Sequence, residues 1–318
     1  MRRLFRATAR RAITAFVATL PTNTKRSVME ALVSGSESYD LFQAIGLAHG
    51  VDDIRVLGDY GVIEGSLADD KIIAGYAKHK SWAAETNRFF GSYFETHQTG
   101  TYIDIGANLG LTTIPIAVFA RVDCKAFEPD PDNYRHLETN VARHCHHGNV
   151  QLFNVAIYDR TGTIDFEIDV HNHGDHRIHT VGMGHTLMVE DTRPVITVQA
   201  QRLDDLFDLP TLKRPVVVKM DTQGSEGQIF LGGRRLLAES SLIFFEFWPY
   251  AMQRFGTDID ALTGFIGRTF PSGSVVLADQ DVPPTDWQPI DQVIGTMHQR
   301  WRLAEAEPFV YHEVYLRR

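Results

Sequence analysis

Tyr102-Ile103-Asp104-Ile105-Gly106-Ala107-Asn108-Leu109-Gly110, running on into Leu111 to Ala120, is the stretch whose reading decides the fold. An apolar strand runs into two glycines and then a helical segment. Gly106 and Gly110 permit a tight turn and close backbone approach, and a helix start presents free N–H groups. The spacing is D-x-G-x-N-x-G, not the G-x-G-x-x-G of nicotinamide and flavin enzymes. An acid at the strand end would repel a pyrophosphate, so Asp104 better suits a ligand that carries an ammonium group.

Working outward, Val122 to Phe127 is a second apolar strand ending in Glu128, eighteen residues after Gly110. A carboxylate there can accept hydrogen bonds from both hydroxyls of a ribose. The strand, turn and helix pattern then repeats with short connections. It predicts strands near 101–105, 123–127, 150–155, 215–220, 242–247, 273–278 and 309–316, with helices near 109–120, 131–143, 225–238, 258–269 and 288–302. The expectation is a Rossmann-like α/β domain over residues 99–318, a seven-stranded, mostly parallel sheet with helices on both faces. Residues 161–200 interrupt it with alternating Thr163 to Ile168 and Val195 to Val198, which predict an extra hairpin. Residues 1–98 read as a helical lead-in, including a patch from Ser81 to Thr96.

The bulk properties narrow the function classes. With 318 residues, 43% hydrophobic and 22% charged, the chain has the composition of a folded globular protein. Two cysteines, Cys124 and Cys145, do not make a disulfide framework and point to a reducing, cytoplasmic setting. Residues 1–26 hold seven Lys or Arg and no acid against a total of −9, so the remainder carries −16. A body that acidic argues against a nucleic-acid substrate. Arg2, Arg3, Arg6, Arg10 and Arg11 lie opposite Phe5, Ala9, Ala12, Ile13, Phe16 and Leu20 at helical spacing. Three readings of this basic amphipathic segment stay open: a helix docked on its own domain, a peripheral membrane contact through residues 1–20, and a targeting peptide. Its apolar run, Ala12 to Leu20, is too short to span a bilayer.

The sequence resembles the FkbM family of methyltransferases over roughly residues 100–250. The matching pieces are Asp104 to Gly110; Phe127-Glu128-Pro129 with Asn133, Leu137 and Asn140; and Val155-Ala156-Ile157 with Asp159 and Gly162. Arg202 to Leu206, Val218 to Glu226 and Phe245-Glu246 follow in order. The resemblance implies S-adenosylmethionine as methyl donor and a hydroxyl as the usual acceptor. It also implies that Asp104, Gly106, Asn108 and Gly110 line the methionine portion, that Glu128 holds the ribose, and that the segment from Asn154 through Ala156 to Ile157 lies near the adenine. The acceptor stays unnamed: a sugar, a lipid-linked or other glycan, or another small metabolite.

A sulfonium methyl is already activated, so the protein must align the acceptor oxygen and take or share its proton. Asp221, at the carboxyl end of the fourth strand, is the first candidate for that task, with Glu226 and Glu246 as alternates. The bland reading of Asp221 is a carboxylate that caps the Ser225 helix or anchors Lys219. Gln223-Gly224 reads equally as a ligand contact or a structural turn. Nine of fourteen histidines fall between His136 and His185, yet none forms the i, i+4 helical pair of a zinc site, so no metal is expected. The stretch 171–185 reads instead as a mobile loop in which His173 or His176 contacts substrate or acts as base. Two competing functions remain, an NAD-dependent oxidoreductase of the same class and a non-catalytic nucleoside-binding protein.

Overall fold

The computed structural model describes residues 39–180, 193–277, 284 and 286–318, together with Thr19, Pro21 and Thr24. The amphipathic segment at residues 1–20 thus lies, Thr19 apart, outside the described residues. The chain divides into two compact units, Met1–Trp82 with Val170–Gly174, and Ala83–Asp169 with Asp175–Arg318.

In the smaller unit, a helix at Tyr39–Ala48 precedes a hairpin of β1 (Asp53–Gly58) and β2 (Gly61–Ser66), and a second helix follows at Ile72–His79. The strands pair antiparallel from Asp53↔Ser66 to Gly58↔Gly61. Helical patches alone were expected here; alternate burial of Ile54 and Val56 marks the strand instead. Asp69 accepts the N–H groups of Lys71, Ile72 and Ile73 at 2.9, 3.1 and 2.8 Å, neutralising orphan donors at the second helix's start.

The larger unit contains, in chain order, β3 (Gly100–Ile105), β4 (Val122–Phe127), β5 (Val150–Phe153), β6 (Ala156–Ile157), β7 (Gly162–Glu167), β8 (Arg177–Ile178), β9 (Val195–Gln201), β10 (Val216–Met220), β11 (Leu242–Phe247), β12 (Ser272–Leu277), β13 (Gln288–Pro289) and β14 (His312–Arg317). The main sheet has the order β13-β12-β14-β11-β10-β3-β4-β5. From β3 to β4 to β5, and from β3 to β10 to β11, neighbours run parallel, while β14 inserts antiparallel between β11 and β12. This is the expected Rossmann-like α/β arrangement, a mostly parallel sheet with helices on both faces. All seven expected strands are present; the eighth, β13, is a two-residue edge strand too short to leave a periodic signal.

Strands buried on both faces explain why the sequence shows continuous apolar runs. On one face Tyr102, Val217, Leu242, Phe244 and Tyr315 pack against Phe90 and Phe94 of the helix Ala84–His97. On the other, Ile103, Ile105, Val218, Met220, Ile243 and Phe245 meet Ile229, Leu237, Ile266 and Met297 from the helices after β10, β11 and β13. The helix expected at 109–120 shortens to Ile114–Ala117, because the turn after Gly106 runs on to Thr113. The helix expected at 225–238 is split into Glu226–Gly232 and Arg234–Ala238.

The insertion forms a second sheet, β6-β9-β7-β8. The two alternating segments expected to form a hairpin do pair antiparallel at its centre, Thr163↔Gln199 through Glu167↔Val195, but β8 intervenes in the chain and adds to the other edge of β7, so they are not a simple hairpin. Among the described residues, no helix is long and apolar enough to cross a membrane. Cys124 and Cys145 are both free.

Candidate active site

The elbow after β3 is held by both neighbouring strands. Gly106 and Ala107 donate their N–H groups to the Phe127 carbonyl at the end of β4, at 3.0 and 2.9 Å, and Asp221 N–H donates to the Ile105 carbonyl at 3.1 Å. Gly106 sits at φ 79°, and a Cβ there would lie 1.9 Å from the Asp221 carbonyl oxygen, so no side chain fits. Asn108 adopts φ 50° and its side-chain oxygen accepts the Leu109 N–H at 2.9 Å, the local bond that lets Asn tolerate the left-handed region. Gly110, at φ 88°, closes the turn by donating to the Ala107 carbonyl at 2.8 Å.

Asp104 lies beneath this elbow. It is fully buried; Oδ2 accepts hydrogen bonds from Thr112 and Thr113 Oγ1 at 2.7 and 2.6 Å, and Oδ1 is 3.1 Å from Lys219 Nζ. Lys219 is its register partner on β10 and also donates to the Gly106 carbonyl at 2.9 Å. Burial works to lower the lysine's pKa, but Asp104, Asp221 and Glu128 outweigh it and hold the ammonium above its ordinary value. The Asp104 carboxylate is thus engaged within the chain, bracing the elbow through Lys219 and the two threonines.

Glu128 follows β4 and closes the other side. Its Oε2 accepts the Asn108 N–H and its Oε1 the Asp130 N–H, both at 2.9 Å. Each oxygen therefore keeps one acceptor position for a ligand. Burial pushes its pKa up to about 8, against the lowering effect of those two bonds. Asp130 caps the helix Pro131–His144 by accepting the Asn133 N–H at 2.8 Å. Asn154 donates to the Glu128 and Pro129 carbonyls at 2.9 and 3.0 Å, so it fixes the backbone around Glu128. Ala156, in β6, is buried in the core of the second sheet with Tyr158, Ile164 and Val198.

The loop after β10 divides its acids by task. Glu226 is wholly buried, and its carboxylate accepts the Thr222 N–H (2.7 Å), Thr222 Oγ1 (2.9 Å) and the Gly224 N–H (3.0 Å). It thereby shapes the turn that carries Gln223 at φ 59°. Asp221 is half-buried, and its Oδ1 accepts from Gln223 Nε2 at 2.8 Å. Of the two bland roles considered for Asp221, the turn is tied by Glu226, whereas Lys219 makes its ion pair with Asp104 and feels Asp221 as a neighbouring charge. Glu246, on β11, is raised well above the ordinary carboxylate range by burial, then by the negative charges of Asp221, Glu226 and Asp175.

His176 is buried; its Nδ1 accepts the Asp169 N–H at 3.0 Å, and its Nε2 is 3.9 Å from Asp130 Oδ2, so it connects the insertion with the capping residue beside Glu128. His173 belongs to the smaller unit, where its N–H reaches Asp69 at 3.3 Å. Residues 181–192, including His185, lie outside the described residues. Sequence reasoning missed Thr112, Thr113 and Asp175, and met Lys219 only as a partner for Asp221. A Lys two residues before a strand-end Asp was the available signal.

The family profile described as Methyltransferase FkbM domain matches residues 104–269, just over half of the chain. The chain is 29% identical over 157 residues to the 2-O-methyltransferase NoeI of Sinorhizobium fredii, covering 46% of this chain and 62% of that protein. It is 26% identical over 153 residues to the hexuronic acid methyltransferase AglP of Haloferax volcanii, covering 48% and 57%. The matches thus span about three fifths of the length of these curated relatives. Among solved structures, the methyltransferase FkbM of Methylobacillus flagellatus aligns with a TM-score of 0.37 at 18% identity, covering 57% of this chain and 40% of that one.

Proposed function

The chain belongs to the FkbM methyltransferase family, and on that premise we propose that it transfers the methyl group of S-adenosylmethionine to a hydroxyl of a sugar, glycan or other small metabolite. The observation that carries this reading is the elbow Gly106–Gly110 facing Glu128, whose two oxygens each keep an acceptor position after their backbone bonds. Two ribose hydroxyls suit those positions. When bound, the donor supplies an electrophilic methyl that needs no further activation.

The chain's own residues then have three tasks. Glu128 accepts from the ribose hydroxyls, while Gly106, Asn108 and Gly110 bring backbone close to the methionine portion, and Asn154 borders the adenine; Ala156, packed in the core of the second sheet, supports that segment from behind. Asp104 serves the donor site from beneath, through the Lys219 pair and the two threonine hydroxyls. Asp221 orients the acceptor hydroxyl and takes its proton; Glu226 holds the loop that carries it, and Glu246 lies behind it. The relatives named for 2-O-methylation and for a hexuronic acid support a sugar acceptor.

Calorimetric titration with S-adenosylhomocysteine tests the donor assignment: saturable one-to-one binding is expected, and no binding at millimolar ligand rejects it. Transfer is read as a mass gain of about 14 daltons in extracts treated with enzyme and donor. Asp221→Asn is expected to lower that transfer about 10²- to 10⁴-fold with the affinity for S-adenosylhomocysteine unchanged. Unchanged turnover removes Asp221 from the proton-accepting role.

A further inference from the structure

The turn that leaves the elbow has a carbonyl that its own backbone cannot satisfy. Ile114 N–H donates to the Gly110 carbonyl at 2.8 Å and Ala117 N–H to the Thr113 carbonyl at 3.0 Å, each four residues back in the helical manner. Between them the same ladder assigns the Leu111 carbonyl to residue 115, which is a proline and has no N–H to give. Leu111 is buried, and a sheltered carbonyl without a donor is costly. The donor comes from a helix that precedes β3: Asn87 Nδ2 reaches the Leu111 carbonyl at 3.0 Å, across 24 residues of chain.

Asn87 shares the buried face of the helix Ala84–His97 with Phe90 and Phe94 at helical spacing. An amide on an aromatic face is unfavourable unless it is bonded, and this one is bonded to the elbow. A second asparagine repeats the arrangement. Asn140, fully buried on the helix Pro131–His144, donates its Nδ2 to the Leu109 carbonyl at 3.0 Å, across 31 residues. The opposite end of that peptide plane, Gly110 N–H, is already held by the Ala107 carbonyl, so the plane is fixed at both ends. Thr112 and Thr113 then tie the same turn to Asp104 through their hydroxyls. Asn87 lies ahead of residues 104–269, the segment that matches the family profile.

We propose that Asn87 and Asn140 are positioning residues for the methyl donor: by holding the Leu111 and Leu109 carbonyls they keep the elbow in one geometry before the ligand arrives, and so set the affinity for its methionine portion. This rests on the methyl-transfer reading and deepens its donor site. A loop already held in its bound shape loses less to ordering when the ligand binds. The two asparagines act on the elbow alone, whereas Glu128, which serves the ribose, is held by the Asn108 and Asp130 N–H groups. Losing either asparagine amide therefore loosens the methionine end and leaves the adenosine end in place.

The test is calorimetric titration of the full chain with S-adenosylhomocysteine and with 5′-methylthioadenosine, which keeps the adenosine and the sulfur but lacks the amino-acid end. Asn87→Ala is expected to weaken S-adenosylhomocysteine about tenfold and to leave 5′-methylthioadenosine within about twofold. Pro115→Ala returns an N–H four residues after Leu111, so adding it to Asn87→Ala is expected to recover most of the lost affinity. Asn140→Ala, the second variant, strips the donor from the Leu109 carbonyl and should show the same split with no rescue by Pro115→Ala. If one asparagine variant fails to fold, the other carries the comparison. Equal weakening of the two ligands, unchanged affinity for S-adenosylhomocysteine, an Asn87→Ala loss that Pro115→Ala does not recover, or an Asn140→Ala loss that it does, overturns the proposal. Failure of the wild type to bind 5′-methylthioadenosine overturns it too, because the split requires an adenosine end held apart from the elbow; failure to bind S-adenosylhomocysteine rejects the methyl-transfer reading itself.

Discussion

Glu128→Gln isolates the interaction on which the proposed donor site depends. Burial pushes the Glu128 carboxyl up to about 8, whereas two ribose hydroxyls are best accepted by the ionised form. Binding therefore expels a proton. The sign follows directly: below pH 8 the free protein holds the acid form, and the fraction ready to bind is about 1% at pH 6, about 10% at pH 7 and about half at pH 8. Affinity for S-adenosylhomocysteine should thus rise roughly tenfold per pH unit from 6 towards 8 and flatten above it. Glutamine removes both the titration and the charge-assisted bonds, each worth about 1.5–3 kcal/mol. The variant should bind about 10- to 100-fold more weakly at pH 9 and nearly as well as the wild type at pH 6, so the two curves converge at low pH. Calorimetry at pH 6, 7, 8 and 9, in buffers of differing ionisation enthalpy, reads affinity and proton release together. Other titrating groups, including the ligand's amine, are common to both proteins and cancel in the comparison. A wild-type affinity that is flat over this range, or a slope that survives in Glu128→Gln, refutes the reasoning.

Lys219→Met leaves the fully buried Asp104 without its cation and should destabilise the protein by about 3–5 kcal/mol in a denaturant melt, towards the lower end because the Thr112 and Thr113 hydroxyls remain; adding Asp104→Asn should recover part of the loss, and no recovery would separate the two residues energetically. Gly106→Ala drives a Cβ into the Asp221 carbonyl from a backbone angle that already costs an alanine about 1–2 kcal/mol, so both melting temperature and S-adenosylhomocysteine affinity should fall; retention of both would show that the elbow relaxes.

Much of the fold was legible because its strands are buried on both faces and sit next to their turns. The run Tyr102–Gly110 shows in one stretch an apolar strand, an acid, and glycines where only glycine fits, and the spacing to Glu128 follows from one helix and one strand. The antiparallel pair of the insertion was visible as period-two alternation at Thr163 to Ile168 and Val195 to Val198, whereas the two-residue β8 between them was not. By contrast, β1 and β2 were hidden within a lead-in read as helical, and β13 is shorter than any period.

The sequence by itself determined which strand ends carry acids, where the turn after the first sheet strand requires glycine, and that the central sheet is Rossmann-like. Only the tertiary structure decided how those acids divide their work. β10 lies beside β3 although it follows more than a hundred residues later, and this register gives Lys219 to Asp104, leaving Asp221 at the edge. Local periodicity records which face a residue occupies, but a carboxylate's partners come from strands remote in the chain, and those partners decide whether it braces the fold or remains available to a ligand.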